Sequence, residues 1–140
     1  MKQQHLSLQK TRQWRFTPPV QVLLALRQAL LSYFADGGLP ARARRYDRLM
    51  KNIEAGFSAL GVYPLIAEQH RSPIINTFVF PEESRLDKLF SHLESSGLII
   101  YRSPERSCFR VGCIGELESG DVEQLMDACR AYLRGHRNEA

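Results

Sequence analysis

The chain has 140 residues, of which 44% are hydrophobic and 24% are charged, a composition typical of one globular domain and not of a disordered chain. Its net charge of +4 comes almost wholly from arginine. No apolar run approaches the roughly 18–20 residues of a membrane span, and no secretory signal follows Met1. We therefore expect a cytoplasmic protein that has no membrane partner.

The first half of the chain predicts an arm and two helices. Residues 1–15 are polar with weak periodicity, which predicts an irregular arm. The segment 16–19 ends in two prolines, which suit a helix start but not a helix interior. Apolar positions at helical spacing then predict a helix over residues 20–34, ended by Gly37 and Gly38, and a second helix over residues 40–60.

The second half predicts short strands alternating with helices. Strand candidates are residues 62–65, 74–80, 98–101 and 108–113, of which 74–80 is the richest in β-branched and aromatic residues. A helix is predicted between Ser84, which with Asp87 resembles a capping box, and Gly97, and another begins at Ser119. Short strands need helices to cover them, so the predicted fold class is α+β: a small antiparallel or mixed sheet with helices packed on one face.

The three cysteines, Cys108, Cys113 and Cys129, form an odd set with no histidine at ligand spacing. We predict reduced thiols that serve as small buried apolar residues, and no metal site. The chain has no nucleophile–base pair and no glycine-rich phosphate loop, so no catalytic residue is predicted.

Arg110 is the first candidate binding residue because it lies between apolar neighbours in a predicted strand. Its guanidinium presents five donors and keeps its charge, so it needs an anion. That anion is either a carboxylate of this chain or a ligand, and the pattern leaves both open.

A second candidate group is Arg15 with Thr17, ahead of a predicted helix N-terminus, where a hydroxyl beside an arginine suits a phosphate. The neighbouring Trp14 and Phe16 have an alternative reading, which is that they anchor the arm by burial.

Four arginines cluster on the second helix: Arg42, Arg44, Arg45 and Arg48. They could contact nucleic-acid phosphates, but no nucleic-acid motif surrounds them, so a solvated helix face is favoured and no nucleic-acid partner is predicted.

Five ordered motifs resemble those of the 2-aminoethylphosphonate–pyruvate transaminases, which are class V aminotransferases of the pyridoxal phosphate (PLP) fold type I. The motifs occupy residues 13–26, 37–46, 72–78, 97–101 and 109–116. The resemblance implies a C-terminal portion of such an enzyme. Residues 1–36 would be an arm and helix from the tail of the large PLP domain. Residues 37–140 would be the connecting helix and the small α+β domain.

The resemblance also implies site residues. Arg110 matches the family arginine that holds the anionic end of the substrate, and Thr17 matches a position that contacts the cofactor phosphate across a dimer interface. PLP is the cofactor of the full-length family. None of the four lysines, Lys2, Lys10, Lys51 and Lys88, matches the Schiff-base lysine, so we expect this chain alone to bind no PLP and to be inactive. The family's Y-P-G-K loop reads Tyr-Arg-Ser-Pro at residues 101–104, and the segment up to Arg110 is about two residues shorter.

The function implied is part of amino transfer from 2-aminoethylphosphonate to pyruvate in phosphonate catabolism. Two alternatives remain open. One is a non-catalytic domain that binds a small anion or pairs with a large-domain chain or with a second copy. The other is an inert remnant of a truncated gene. The apolar helix at residues 20–34, left without a large domain to cover it, is expected to favour self-association.

Overall fold

The computed structural model describes residues 2–135, and the chain divides into two compact units, Met1–Pro40 and Ala41–Ala140. Helices α1 (Lys2–Thr11) and α2 (Val20–Ala35) belong to the first unit. Helix α3 (Gly38–Ser58) begins at the end of the first unit and continues into the second. Within residues 2–135, none of the helices combines the length and apolar character needed to cross a bilayer.

The prediction of an irregular arm over residues 1–15 is wrong, because α1 is helical over Lys2–Thr11. Lysine, glutamine and leucine all have good intrinsic helix propensity, and this helix buries none of its residues. A segment that forms a helix without an apolar face leaves no hydrophobic periodicity in its sequence, which is why the pattern did not reveal it.

Helix α2 begins where the two prolines predicted, at Val20, whose N–H donates to the carbonyl of Pro18 at 2.8 Å. It ends at Ala35, and the following Gly37 has φ of 89°, a left-handed value that glycine adopts without steric cost. None of its residues is buried.

The second unit contains a four-stranded sheet. Its strands are β1 (Tyr63–Pro64), β2 (Ile75–Val79), β3 (Tyr101–Arg102) and β4 (Cys108–Gly112), arranged in the order β1-β2-β4-β3 with every neighbouring pair antiparallel. The strand predicted over residues 98–101 is therefore displaced toward the C-terminus. Leu98 and Ile100 pack in or against the core without pairing with β4, whereas Tyr101 and Arg102 pair with it.

Helices α3, α4 (Glu83–Ser95) and α5 (Ser119–Gly135) cover one face of this sheet. Three aromatic rings form the centre of the core, with the Phe57 centroid 4.7 Å from Phe78 and 5.3 Å from Phe109. The α+β prediction is confirmed, with a wholly antiparallel sheet. The predicted capping box on Ser84 is wrong, since α4 begins after Glu82 without a side-chain cap.

Candidate anion-binding site

Arg110 is the third residue of β4 and lies on the sheet face opposite the helices. Its neighbours Phe109 and Val111 are buried in the core, and side chains alternate between the two faces of a strand, so Arg110 points away from the core and is half-buried. We call this side of the sheet the open face. Directly opposite Arg110 lie Thr77 of β2 and Tyr101 of β3.

The contacts of Arg102, the residue after Tyr101, independently show which way β3 faces. Arg102 forms an ion pair with Asp87 of α4, and its guanidinium carbon lies 4.3 Å from the centre of the Phe90 ring in the same helix. Arg102 is therefore on the helix side of the sheet. Tyr101, one position earlier, is on the open face with Arg110 and is 59% exposed.

The polar groups of this row interact little with the rest of residues 2–135: the charge of Arg110 acts on Glu105, but only as a minor contribution. Across residues 2–135, the guanidinium of Arg110 and the hydroxyls of Thr77 and Tyr101 make no hydrogen bond and no ion pair. The carboxylate partner that the sequence left open for Arg110 is thus absent from the described part of the chain. Its donors remain available to an anion from outside.

Glu105 is an acidic residue whose pKa is affected by the charge of Arg110. It lies in the hairpin loop 103–107 between β3 and β4, which includes the last two residues of the altered Y-P-G-K segment at 101–104. The hydroxyl of Ser103 donates to the Glu105 carboxylate and is the largest cause of its lowered pKa, with a smaller contribution from the positive charge of Arg110. The loop ends at Ser107, whose φ of 57° is a strained left-handed value for a residue other than glycine.

Gly112 lies on the open face near Arg110 and has the Ile75 side chain beside it. It lies two residues after Arg110 in β4 and so on the same side of the sheet. A Cβ there would lie 3.5 Å from the Ile74 carbonyl oxygen and 3.8 Å from the Ile75 side chain, which is ordinary contact.

Thr17, the predicted cofactor contact, is exposed and precedes α2 in the first unit. Arg110 belongs to the second unit. Arg15 does not join Thr17 as a free cation, because its guanidinium donates to Gln3 Oε1 at 2.6 Å in α1. Trp14 and Phe16 are exposed, which contradicts the alternative reading that they anchor the arm by burial.

The arginine cluster of α3 is only partly a solvated face, contrary to the prediction. Arg45 is half-buried, and its guanidinium donates to the Gly115 carbonyl at 2.8 Å and lies 5.2 Å from the Tyr46 ring centre. A hydrogen bond between Arg45 and the Tyr46 side chain is the largest cause of the lowered pKa of Tyr46. A hydrogen bond with the Gly115 backbone lowers it further. Arg45 thus fastens the turn after β4 to α3, while Arg44 and Arg48 remain exposed.

The three cysteines are free and buried, as predicted. Burial is the largest cause of the raised pKa of all three thiols, and that of Cys129 rises to about 12. Such thiols remain protonated and unreactive near neutral pH.

The lysines do not fit covalent attachment of PLP. All four, Lys2, Lys10, Lys51 and Lys88, are exposed. A Schiff-base lysine needs an amine whose pKa is lowered by a desolvating pocket. The pKa of Lys51 is instead raised by its hydrogen bond to Asp47, at 2.9 Å.

Comparison with known proteins connects these features. No protein-family model matches the chain. A 2-aminoethylphosphonate–pyruvate transaminase from Burkholderia ambifaria is 38% identical over 137 residues, which is 95% of this chain and 37% of the relative. One from Pseudomonas entomophila is 36% identical over 96% of this chain and 38% of its own length. The chain is a homologue of these transaminases. It corresponds to a C-terminal portion of them and spans a little over a third of their length.

Solved structures agree on the fold. The chain is similar to alanine–glyoxylate aminotransferase from a Nostoc species, with a TM-score of 0.79 and 20% identity over 95% of this chain and 36% of that one. It is also similar to ureidoglycine–glyoxylate aminotransferase from Bacillus subtilis, with a TM-score of 0.76 and 19% identity over 97% of this chain and 36% of that one. At this identity the likeness shows a shared fold, which this chain matches over a little more than a third of each neighbour.

Sequence reasoning singled out Arg110 but not the two residues paired with it. Thr77 and Tyr101 lie within motifs that support the resemblance, yet no signal in their own segments marks them as binding residues. The strand register is what brings them to Arg110.

Proposed function

We propose that this chain supplies the substrate-anion site of a PLP-dependent transaminase that transfers an amino group between 2-aminoethylphosphonate and pyruvate. The observation that carries the proposal is Arg110, a cation on the open face of the sheet with no carboxylate partner among residues 2–135. The homology to 2-aminoethylphosphonate–pyruvate transaminases supports this choice of substrates.

A guanidinium suits this task because its planar fork matches the two oxygens of a carboxylate or phosphonate. Arg110 is carried by a strand that is paired on both sides, so its backbone is fixed before a ligand arrives. Binding the anion at one end of the substrate orients the amine or carbonyl at the other end. Rigid placement of this kind limits the entropy lost on binding.

The chemistry of amino transfer requires residues that this chain does not provide. PLP supplies the electron sink when it is bound, and we propose that its lysine is contributed from outside these 140 residues, which is supported by the exposure of all four lysines here. We also propose that Thr17 contacts the cofactor phosphate across the interface with a second subunit. We propose that the chain alone is catalytically inactive in the cytoplasm and acts together with a large-domain segment or chain.

Titration calorimetry on the 140-residue chain tests the role of Arg110. We expect 2-aminoethylphosphonate and pyruvate to bind the unaltered chain, and Arg110→Ala to weaken both by about tenfold or more, the loss of a charge-assisted bidentate contact. Arg106→Ala is the matched control, since Arg106 is exposed in the adjacent loop. Equal affinity of the Arg110→Ala and unaltered chains would contradict the proposal.

Catalytic inactivity is tested separately. We expect no pyruvate-dependent turnover of 2-aminoethylphosphonate when the pure chain is mixed with PLP. Turnover above the rate of PLP alone would show that this chain contains the required amine.

A second candidate function, subunit interaction, is favoured by α2. This helix buries none of its residues and exposes large apolar side chains along its length. The exposed apolar residues are Val20, Val22, Leu23, Leu24, Leu26, Leu30, Leu31 and Phe34. An apolar surface of this kind marks an interaction site or causes association. We expect sedimentation to show an oligomer that Leu26→Glu dissociates, and a dilute monomer in both cases would refute this candidate.

A further inference from the structure

We propose that Tyr101 is a second contact for the oxyanion that Arg110 binds, and that Thr77, on the other side of Arg110, leaves the guanidinium accessible to the ligand. This inference rests on the anion-binding role proposed above for Arg110. The three residues form one row across the open face, contributed by β2, β4 and β3.

The register places these side chains next to each other. Thr77 and Tyr101 are the Cα partners of Arg110 in the two neighbouring strands. Side chains directly opposite each other in antiparallel strands start about 4.5–5.5 Å apart at Cβ and interact. The position of Arg102 against α4 confirms that Tyr101 faces the same side as Arg110.

The lengths of the side chains determine where a ligand fits. Arginine and tyrosine are both long, so the guanidinium and the phenol hydroxyl rise to similar heights above the sheet. Thr77 is short, so the surface beside Arg110 is low on the β2 side. An anion at the end of the Arg110 guanidinium can therefore reach the Tyr101 hydroxyl on the β3 side, while the short Thr77 on the β2 side does not obstruct it.

The shape of the anion decides how much Tyr101 contributes. A guanidinium fork donates to two oxygens in its own plane, which uses both oxygens of a carboxylate. A phosphonate has a third oxygen outside that plane, which needs a donor of its own. The Tyr101 hydroxyl has no partner among residues 2–135 and can donate to it.

The test compares two small anions, methylphosphonate and acetate, by titration calorimetry or NMR on the unaltered chain and on Tyr101→Phe. Loss of one hydrogen bond to a charged group predicts about tenfold weaker methylphosphonate binding and less than a twofold change for acetate. Tyr63→Phe is the matched control. Tyr63 is 58% exposed, close to the 59% of Tyr101, and lies on the same face of the sheet, but its row contains Val79 and Cys108 and not Arg110.

Each outcome bears on a different claim. Arg110→Ala abolishing binding while Tyr101→Phe leaves methylphosphonate affinity unchanged would overturn the role of Tyr101 and keep that of Arg110. Equal losses in Tyr101→Phe and Tyr63→Phe would also overturn it, because the effect would not depend on the row. Binding of neither anion by the unaltered chain would overturn both roles.

Discussion

Asn76 precedes Thr77 in β2 and faces the helix side of the sheet, and it is the residue whose replacement we expect to be most informative about stability. It is the only polar residue within 2–135 found buried in the core, with 6% of its surface exposed. Its amide donates to Glu54 Oε1 at 2.8 Å and its carbonyl accepts from the Ser72 N–H at 3.1 Å. Glu54 in turn pairs with Arg71 at 3.3 Å. The network fastens the segment before β2 to α3.

Asn76→Leu keeps the volume of the side chain and removes both hydrogen bonds. A bond to a charged group contributes about 1.5–3 kcal/mol and a neutral one about 0.5–1.5 kcal/mol. The side chains of Glu54 and Arg71 are 22% and 24% exposed, so water reaches them and reduces the penalty of leaving Glu54 short of a donor. We therefore expect the free energy of unfolding to fall by about 2–3 kcal/mol.

Urea denaturation followed by circular dichroism measures this loss. With an m-value of about 2 kcal/mol/M, the midpoint should fall by roughly 1–1.5 M. Asn52→Leu is the control, because Asn52 is exposed on α3 and surface changes are usually within about 0.5 kcal/mol. The importance of the network would be refuted if the free energy of unfolding of Asn76→Leu were within about 0.5 kcal/mol of that of the unaltered chain. A difference that small is usual for surface substitutions.

Two further predictions concern packing and pH. Gly56→Ala should destabilise the fold by about 1 kcal/mol after the helix-propensity gain of alanine is offset. A Cβ there would clash with the sulfur of Met126, so Gly56→Ala should cost little when it is introduced into a Met126→Ala chain and compared with that chain. Gly120→Ala, with nothing within 4 Å, should not destabilise, and equal effects at the two glycines in urea melts would contradict this reasoning. Burial raises the pKa of Cys129 to about 12 from 9.0, so the folded thiol stays protonated while the unfolded one ionises. Stability should therefore be intact below pH 9 and decline as the pH rises above it, and Cys129→Ser should flatten that decline in unfolding curves measured across this range.

The sequence predicts the elements whose apolar residues share one face. The strand over 74–80 and the helix over 20–34 match β2 (Ile75–Val79) and α2 (Val20–Ala35) within a residue or so. Helix α1 is missed by the sequence pattern because it buries none of its residues, so that only helix propensity favours it. In residues 98–101 the apolar run marks burial, whereas pairing with β4 begins only at Tyr101.

The candidate site is predictable only in part, for a related reason. Arg110 stands out because a charge among apolar neighbours is visible in one short segment. Thr77 and Tyr101 have no such contrast, and their relation to Arg110 depends on which residues of separate strands pair. Arg45 looked like a solvated charge because the carbonyl it binds, that of Gly115, is contributed by a distant turn.

The row Thr77–Arg110–Tyr101 draws its members from three strands that are separate in the sequence. The unfolded chain therefore has no such site, and an anion that binds there must favour the folded state. At a hundredfold excess over its dissociation constant, such an anion would raise the free energy of unfolding by about 2.7 kcal/mol. A thermal-shift screen of small phosphonates and carboxylates would thus rank ligands of this chain without any assay of turnover.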